Sequence, residues 1–248
     1  MQGSRVGRIG GLSYRRQAVA ASRRPISGSV SPCKMSMLGQ NFNSAGIRLF
    51  FKVTAGDKRL AVPHISVPDI SFVRWDALRD AGFQGCVMDK DNTLTDPYGK
   101  ALNPKIRTSL AECRKVLPVV LFSNSAGLEQ FDPQGEEATA LEGSLGIPVL
   151  RHKEKKPAGG VSELESHFGC SAEKLIMVGD RYLTDVVFGN RNQMFTIYVA
   201  PFDTAREPLG VKMARRLEDT MVAKWRNGGV QSPPHPFFTV DSAGFVKN

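Results

Sequence analysis

GCVMDKDNTLT, Gly85 to Thr95, is the stretch that sets the fold. Cys86 to Met88 form a short apolar run with the composition of a buried strand, and the run ends at two carboxylates, Asp89 and Asp91. In extended chain, residues two apart point to the same side. Two like charges so placed are costly to hold together unless a cation or a phosphoryl group lies between them. Outward from this segment, apolar runs and helical patterns alternate. Further strands are expected at Val119 to Phe122, Pro148 to Leu150, Leu175 to Val178 and Thr196 to Val199, with helices over Pro104 to Lys115, Glu136 to Leu145, Ala158 to Phe168 and Tyr182 to Arg191. This alternation predicts an α/β protein with a parallel sheet covered on both faces. In such sheets ligands bind outside the carboxyl ends of the strands.

Three more strand ends or following loops carry suitable chemistry. VVLFSN ends at Ser123, a hydroxyl able to donate to a phosphate oxygen, and RHKEKKP presents Lys156 just before Pro157 as a cation for phosphoryl oxygens and nearby carboxylates. GDRYLTD follows the next strand with Asp180 and Asp185. Hard oxygen donors without a His or Cys cluster point to Mg²⁺ and away from zinc. Singly, each signal is weak, since an Asp after a strand is commonly a helix cap. Their order along the chain, each just after an apolar run, makes a purely structural origin improbable.

The arrangement resembles the haloacid dehalogenase-like superfamily of phosphotransferases, whose four motifs match Asp89 with Asp91, Ser123, Lys156, and Asp180 with Asp185, over about residues 85–200. The resemblance implies a doubly wound parallel sheet in which Asp89 is the nucleophile and forms an aspartyl-phosphate. Asp91 would be the general acid and then the base, and Ser123 and Lys156 would hold phosphoryl oxygens. Mg²⁺ would be held by Asp89, the Asp91 carbonyl and Asp180, with Asp185 in support. An acid at position 91, where pumps of the superfamily carry Thr, implies rapid hydrolysis and hence a phosphatase. Asn92 replaces a common Gly, and Asn tolerates the left-handed backbone such a turn needs.

Asp91 and Ser123 are 32 residues apart and Ser123 and Lys156 are 33 apart, which leaves no room for an inserted cap domain. The site should be open, suited to a phosphate displayed on a protein, a nucleic acid or a lipid. The strings VPHISVPDI, DKDNTLT, LFSNSAG, GIPVLRHKEKKP and MVGDRYLTD are similar to the phosphatidylglycerophosphate phosphatases of mitochondria and plastids. That resemblance implies hydrolysis of the phosphomonoester of phosphatidylglycerophosphate. Arg151, His152 and Lys155 around Lys156, with Asn124 and Arg181, are candidates for binding the rest of that substrate, the phosphodiester included; a solvated charged loop would look the same. The alternatives are a phosphatase of a phosphoprotein or a soluble phosphomonoester and, from another class, a membrane-bound scaffold with a dead site.

Composition narrows the field further. The 248 residues carry a formal charge of +9, which suggests a nucleic-acid binder. However, residues 1–56 hold seven Arg and two Lys with no acidic residue, so the remainder balances at 24 basic and 24 acidic. A basic groove is therefore not expected, and nucleic acid is dropped as a partner. Residues 1–36, rich in Arg and Ser with short apolar stretches, match an organellar transit peptide and lack the apolar core of a secretory signal. The scatter of small residues favours the chloroplast slightly over the mitochondrion. No apolar run approaches the roughly 20 residues of a membrane span, so a phospholipid would be met peripherally, at an anionic membrane surface. Four cysteines without metal-type spacing fit a reduced compartment. The expected organisation is a leader over 1–36, an amphipathic segment over 37–60, a capless phosphatase domain over 61–228 and an irregular tail over 229–248. Two amphipathic patterns are ambiguous between core and membrane contact. One covers 41–53. The other is the row Met213, Leu217, Met221 and Trp225 within 208–225, with Lys212, Arg215, Arg216 and Lys224 around it, which is expected to be core.

Overall fold

A computed structural model describes residues 53, 55–237 and 242–247. The expected leader and most of the amphipathic pattern at 41–53 lie outside the described residues.

Five short strands, β1 (Ile65–Val67), β2 (Gly85–Met88), β3 (Val119–Leu121), β4 (Leu175–Gly179) and β5 (Phe195–Val199), form one sheet in the order β1-β5-β4-β2-β3. Every pairing is parallel. The alternation of side chains along the strands divides the core. Cys86, Met88, Leu121, Ile176, Val178 and Ile197 pack on one face, while Val87, Val120, Leu175 and Met177 pack on the other. Both faces are covered, as expected for strands that are apolar throughout.

Among the described residues, the sheet is accompanied by α1 (Trp75–Asp80), α2 (Arg107–Val116), α3 (Glu136–Leu145), α4 (Ser162–Phe168), α5 (Val187–Arg191) and α6 (Leu209–Asn227). From β2 the chain moves outward through α2 to β3, then returns past β2 to β4. The reversal falls between β2 and β4, so a crevice is expected beyond their carboxyl ends. No folded insertion separates Asp91 from Ser123 or Ser123 from Lys156 beyond α2, β3 and α3 with one short 3₁₀ turn, in keeping with the expected capless domain.

Several details differ from expectation. Pro148 to Leu150 lies beside β3 but forms only a single bridge, Val149 with Leu121. Leu121 N donates to Pro148 O and Leu150 N to Leu121 O, both at 2.8 Å. Pro148 has no N–H to extend the ladder toward Val119, and the Val149 N–H, on the side away from β3, is taken by Glu142 Oε1 at 2.8 Å. The helix expected from Ala158 begins at Ser162. β1 and α1 were not anticipated: β1 has only three residues between Pro63 and Pro68, and α1 has six. The described part of the expected irregular tail includes a 3₁₀ turn, Ser242–Phe245, and joins the core. Phe245 and His235 are buried, Val246 bridges Val73, and Arg74 N donates to Phe245 O at 2.8 Å.

The largest difference concerns α6. Its buried residues are Arg215, Glu218 and Val222, whereas Met213 and Leu217 are exposed and Met221 and Trp225 only partly covered. The apolar row therefore does not enter the core in the first half of the helix. Charged residues face inward there because buried partners await them in the site.

Candidate active site

β2 delivers Asp89 to the rim, where its N–H donates to Val178 O of β4 at 2.9 Å. The chain then turns sharply. Asn92 adopts φ +59°, the left-handed conformation that Asn accepts at low cost. Asp91 Oδ1 accepts from Tyr98 N at 2.7 Å and pairs with the buried Lys90 ammonium. Burial, with Asp89 adding to it, holds the Asp91 carboxyl above its ordinary range despite the opposing charge of Lys90. This suits a group that has to carry a proton.

Lys156 is buried and donates to three oxygens at 2.7 Å each: Asp89 Oδ1, Asp185 Oδ1 and the Phe122 carbonyl. Burial alone would depress an ammonium, but Asp185 and Asp89 outweigh it and hold Lys156 above its usual value. Its backbone is fixed by Asn124, whose Oδ1 accepts from Lys156 N at 2.9 Å. Ser123 is buried at the end of β3, with its Oγ 3.2 Å from Ser125 Oγ.

β4 ends at Gly179, followed by Asp180 and a wide turn in which Val186 N donates to Arg181 O at 3.2 Å. The turn folds Asp185 back against Gly179, where an added Cβ would meet Asp185 Cγ at 2.3 Å. Only glycine permits that approach. Asp180 is held from α6: Arg215 Nη2 donates to Asp180 Oδ2 at 2.7 Å and Nη1 to the Asp180 carbonyl at 2.8 Å. Arg215 also pairs with Glu207 at 2.5 Å, and Glu207 accepts from Asn92 Nδ2 at 3.0 Å. A chain of contacts thus links the turn after Asp91 to Asp180.

Asp89, Asp180 and Asp185 bring ligand oxygens within 4.8 Å of one another. Burial first, and mutual repulsion with Asp89 next, raise both Asp180 and Asp185 despite Arg215 and Lys156. Three carboxylates strained in this way, with only oxygen donors, fit a hard divalent cation. Lys156 donates to Asp89 Oδ1 and Arg215 to Asp180 Oδ2; each carboxylate oxygen has a second lone pair, so neither contact stops these carboxylates from also holding an ion.

Asp89, Lys156, Asp180 and Asp185 meet at one rim, Asp91 lies within electrostatic reach of Asp89, and Ser123 directly follows Phe122, whose carbonyl takes Lys156. The expected substrate-binding residues divide. Lys155 stays at the surface with its ammonium 4.0 Å from the Phe131 ring centroid. Arg151 is turned away to Glu142 of α3 at 2.6 Å. His152 is buried with both ring nitrogens 2.8 Å from main-chain oxygens of Ser123 and Glu154, Asn124 serves the Lys156 backbone, and Arg181 is paired with Glu218 at 2.5 Å. In these four, local partners claim the polar atoms expected to meet substrate. Lys90, Glu207, Arg215 and Glu218 were not anticipated. The one available signal was the Arg215/Glu218 pair three apart on a helix, which reads equally as a solvated face.

Comparison with known proteins agrees with the resemblance of the motifs. The family model described as "Mitochondrial PGP phosphatase" matches residues 45–201. Phosphatidylglycerophosphate phosphatase 1, chloroplastic, of Chlamydomonas reinhardtii is 52% identical over 95% of this chain and 88% of its own. Phosphatidylglycerophosphate phosphatase 1, chloroplastic/mitochondrial, of Arabidopsis thaliana is 44% identical over 85% of this chain and 61% of its own. Probable phosphatase YqeG of Bacillus subtilis is 27% identical over 58% of this chain and 80% of its own.

Proposed function

This chain belongs to the mitochondrial PGP phosphatase family, and on that premise we propose that it hydrolyses the terminal phosphomonoester of phosphatidylglycerophosphate to phosphatidylglycerol through an aspartyl-phosphate. The observation that carries the chemistry is the convergence of Asp89, Asp180 and Asp185 at an uncapped rim, with Lys156 between Asp89 and Asp185 and Arg215 on Asp180.

Asp89, with one carboxylate oxygen restrained by Lys156, attacks phosphorus through the other. The new bond joins Asp89 to phosphorus, and the bond from phosphorus to the glycerol oxygen breaks. Asp91, whose carboxyl is raised, gives that oxygen its proton. Asp91 then takes a proton from water, whose oxygen attacks phosphorus, frees Asp89 and releases inorganic phosphate. Ser123 bonds a phosphoryl oxygen, while Lys156, its three donors taken by Asp89, Asp185 and the Phe122 carbonyl, fixes the carboxylates and offsets phosphoryl charge from behind them, so most of the rate comes from positioning and charge neutralisation. Mg²⁺, held by Asp89 and Asp180 with Asp185 in support, would supply further neutralisation of the phosphoryl charge. Lys155 is the candidate for the second phosphate of the lipid. Arg215 is a positioning residue for Asp180.

The names of the two most similar relatives above, together with the basic, Ser-rich leader, support an organellar location, with the chloroplast favoured and the enzyme peripheral on the stroma or matrix side of a membrane. No helix among the described residues is long and apolar enough to cross a membrane.

The test is phosphate release from purified phosphatidylglycerophosphate in mixed micelles, beside phosphopeptides and sugar phosphates. Release should be fastest from the lipid, lost on chelation and restored by Mg²⁺. Equal or faster turnover of the soluble compounds would remove the lipid reading.

A further inference from the structure

The outer face of α6 is apolar where its inner face is ionic. Leu209, Met213 and Leu217, one turn apart in sequence, are 78%, 71% and 52% exposed. They lie opposite Arg215 and Glu218, which reach in to Asp180 and Arg181, so this half of the helix runs alongside the metal-ligand loop. Tyr98, 62% exposed, borders the site, since its backbone N–H binds Asp91, and Phe131, 36% exposed, lies beneath the ammonium of Lys155, the residue before Lys156. Exposed large apolar side chains gathered around a polar site mark an interaction surface more often than scattered ones do.

From this surface we infer that α6, with Tyr98 and Phe131, docks the open site onto an anionic lipid bilayer. The inference rests on the lipid-substrate reading above and names the face that meets the membrane. Charge selects the occupant. Residues 208–217 contain no acidic residue but include Lys212, Arg215 and Arg216, and Arg206 precedes them. Arg215 faces inward and Arg206 is paired with Asp203 at 3.4 Å, which leaves Lys212 and Arg216 to flank the apolar row. Cations flanking an exposed apolar stripe match an anionic headgroup layer over acyl chains. A second copy of the chain would bring the same cations against one another. A single row of three side chains also falls short of the roughly 800 Å² per partner of a stable protein interface, whereas a bilayer demands no matching shape. Docked in this way, the rim would meet a phosphomonoester in the plane of the headgroups, where a cap would obstruct it.

The test uses the full chain with vesicles of phosphatidylserine and phosphatidylcholine, which contain neither substrate nor product. An environment-sensitive fluorophore is placed on Met213→Cys in a chain with Cys33→Ser and Cys170→Ser. Its emission should shift to the blue on adding these vesicles and be quenched by spin-labelled lipid. Emission that stays unchanged while the chain floats with the vesicles overturns the inference, because some other segment then makes the contact.

The triple variant Leu209→Ser/Met213→Ser/Leu217→Ser should raise the KM for vesicle-borne phosphatidylglycerophosphate by about tenfold or more while leaving turnover of a soluble phosphomonoester and the Tm unchanged. Lys212→Glu/Arg216→Glu should raise the same KM by about fivefold per charge at low salt. If both variants match the parent, docking falls and the lipid-substrate reading stands. If the fluorophore enters the bilayer but the parent releases no phosphate from the lipid, the substrate reading falls and docking stands. A parental dimer dissociated by the triple variant, with no change in emission on vesicles, assigns the face to self-association.

Discussion

The two ends of the sheet treat buried titratable groups in opposite ways. At the carboxyl ends, Asp89, Asp180 and Asp185 stay beside Lys156 and Arg215, and the charges are kept by being paired. At the amino ends, His64 stacks on Phe195 and meets His235 edge-on, with Phe83 and Phe245 nearby. There burial, helped by the neighbouring His235, pushes His64 down to about 4, and its Nδ1 accepts from Thr196 N at 3.0 Å, which requires that nitrogen to be unprotonated. Both ends are desolvated. What separates them is how the counter-charge is placed: in direct contact, as with Lys156 and Arg215, it holds buried ions in place for chemistry, whereas Glu173 offsets burial at His235 only in part, and burial then favours the neutral imidazole.

The sharpest way to break this contrast is Asp89→Asn. Removing the nucleophile while keeping its shape should lower phosphate release on the order of 10⁴-fold, and the acid-quenched phosphoenzyme should vanish while the melting curve stays close to that of the parent. Next in size is Lys156→Met, which leaves two carboxylates facing each other in a buried site. It should cost about 3–5 kcal/mol of stability, read by urea unfolding, as well as nearly all activity. Arg215→Met isolates the other cation. Because Arg215 orients Asp180 without facing the phosphoryl group, the expected loss is in Mg²⁺ activation, about 10–100-fold in half-saturating concentration, with a smaller drop in turnover at saturating Mg²⁺. Equal losses in both would mean that Arg215 does more than position Asp180.

The smallest effect should come from the amino end. A His64 pKa lowered on folding means that the unfolded chain takes up its proton first as the pH falls. Stability from this group is therefore complete above about pH 6.5 and declines as the pH drops toward 4. With its partial exposure discounted, the decline is about 2 kcal/mol. His64→Gln should flatten the unfolding free energy across that window, and an unchanged slope would assign the acid sensitivity elsewhere.

The same contrast governs what could be read from the sequence. Asp89, Ser123, Lys156 and Asp180 are legible because each directly follows an apolar run or a loop of fixed composition. The network that steadies them is not. Arg215 meets Asp180 across 35 residues and Glu207 meets Asn92 across 115, and no local pattern encodes such pairings. On α6 the usual rule inverts, with ions inward and Leu209, Met213 and Leu217 outward, so periodicity finds the helix but assigns its first half the wrong face. β1 escapes because three strand residues within the four between Pro63 and Pro68 carry too short a pattern. Among the expected substrate contacts, Arg151 and His152 mislead because proximity in sequence to Lys156 does not fix where a side chain points.

The margins of the sheet have a consequence of their own. One margin is a three-residue strand closed off by Pro63 and Pro68, and the other is shielded by a segment that starts at Pro148 and spends the Val149 amide on a glutamate. Neither offers the long row of unsatisfied amides on which a foreign strand could template itself. Among the described residues, higher-order association is therefore left to the helices and loops, and the sheet gives aggregation little purchase.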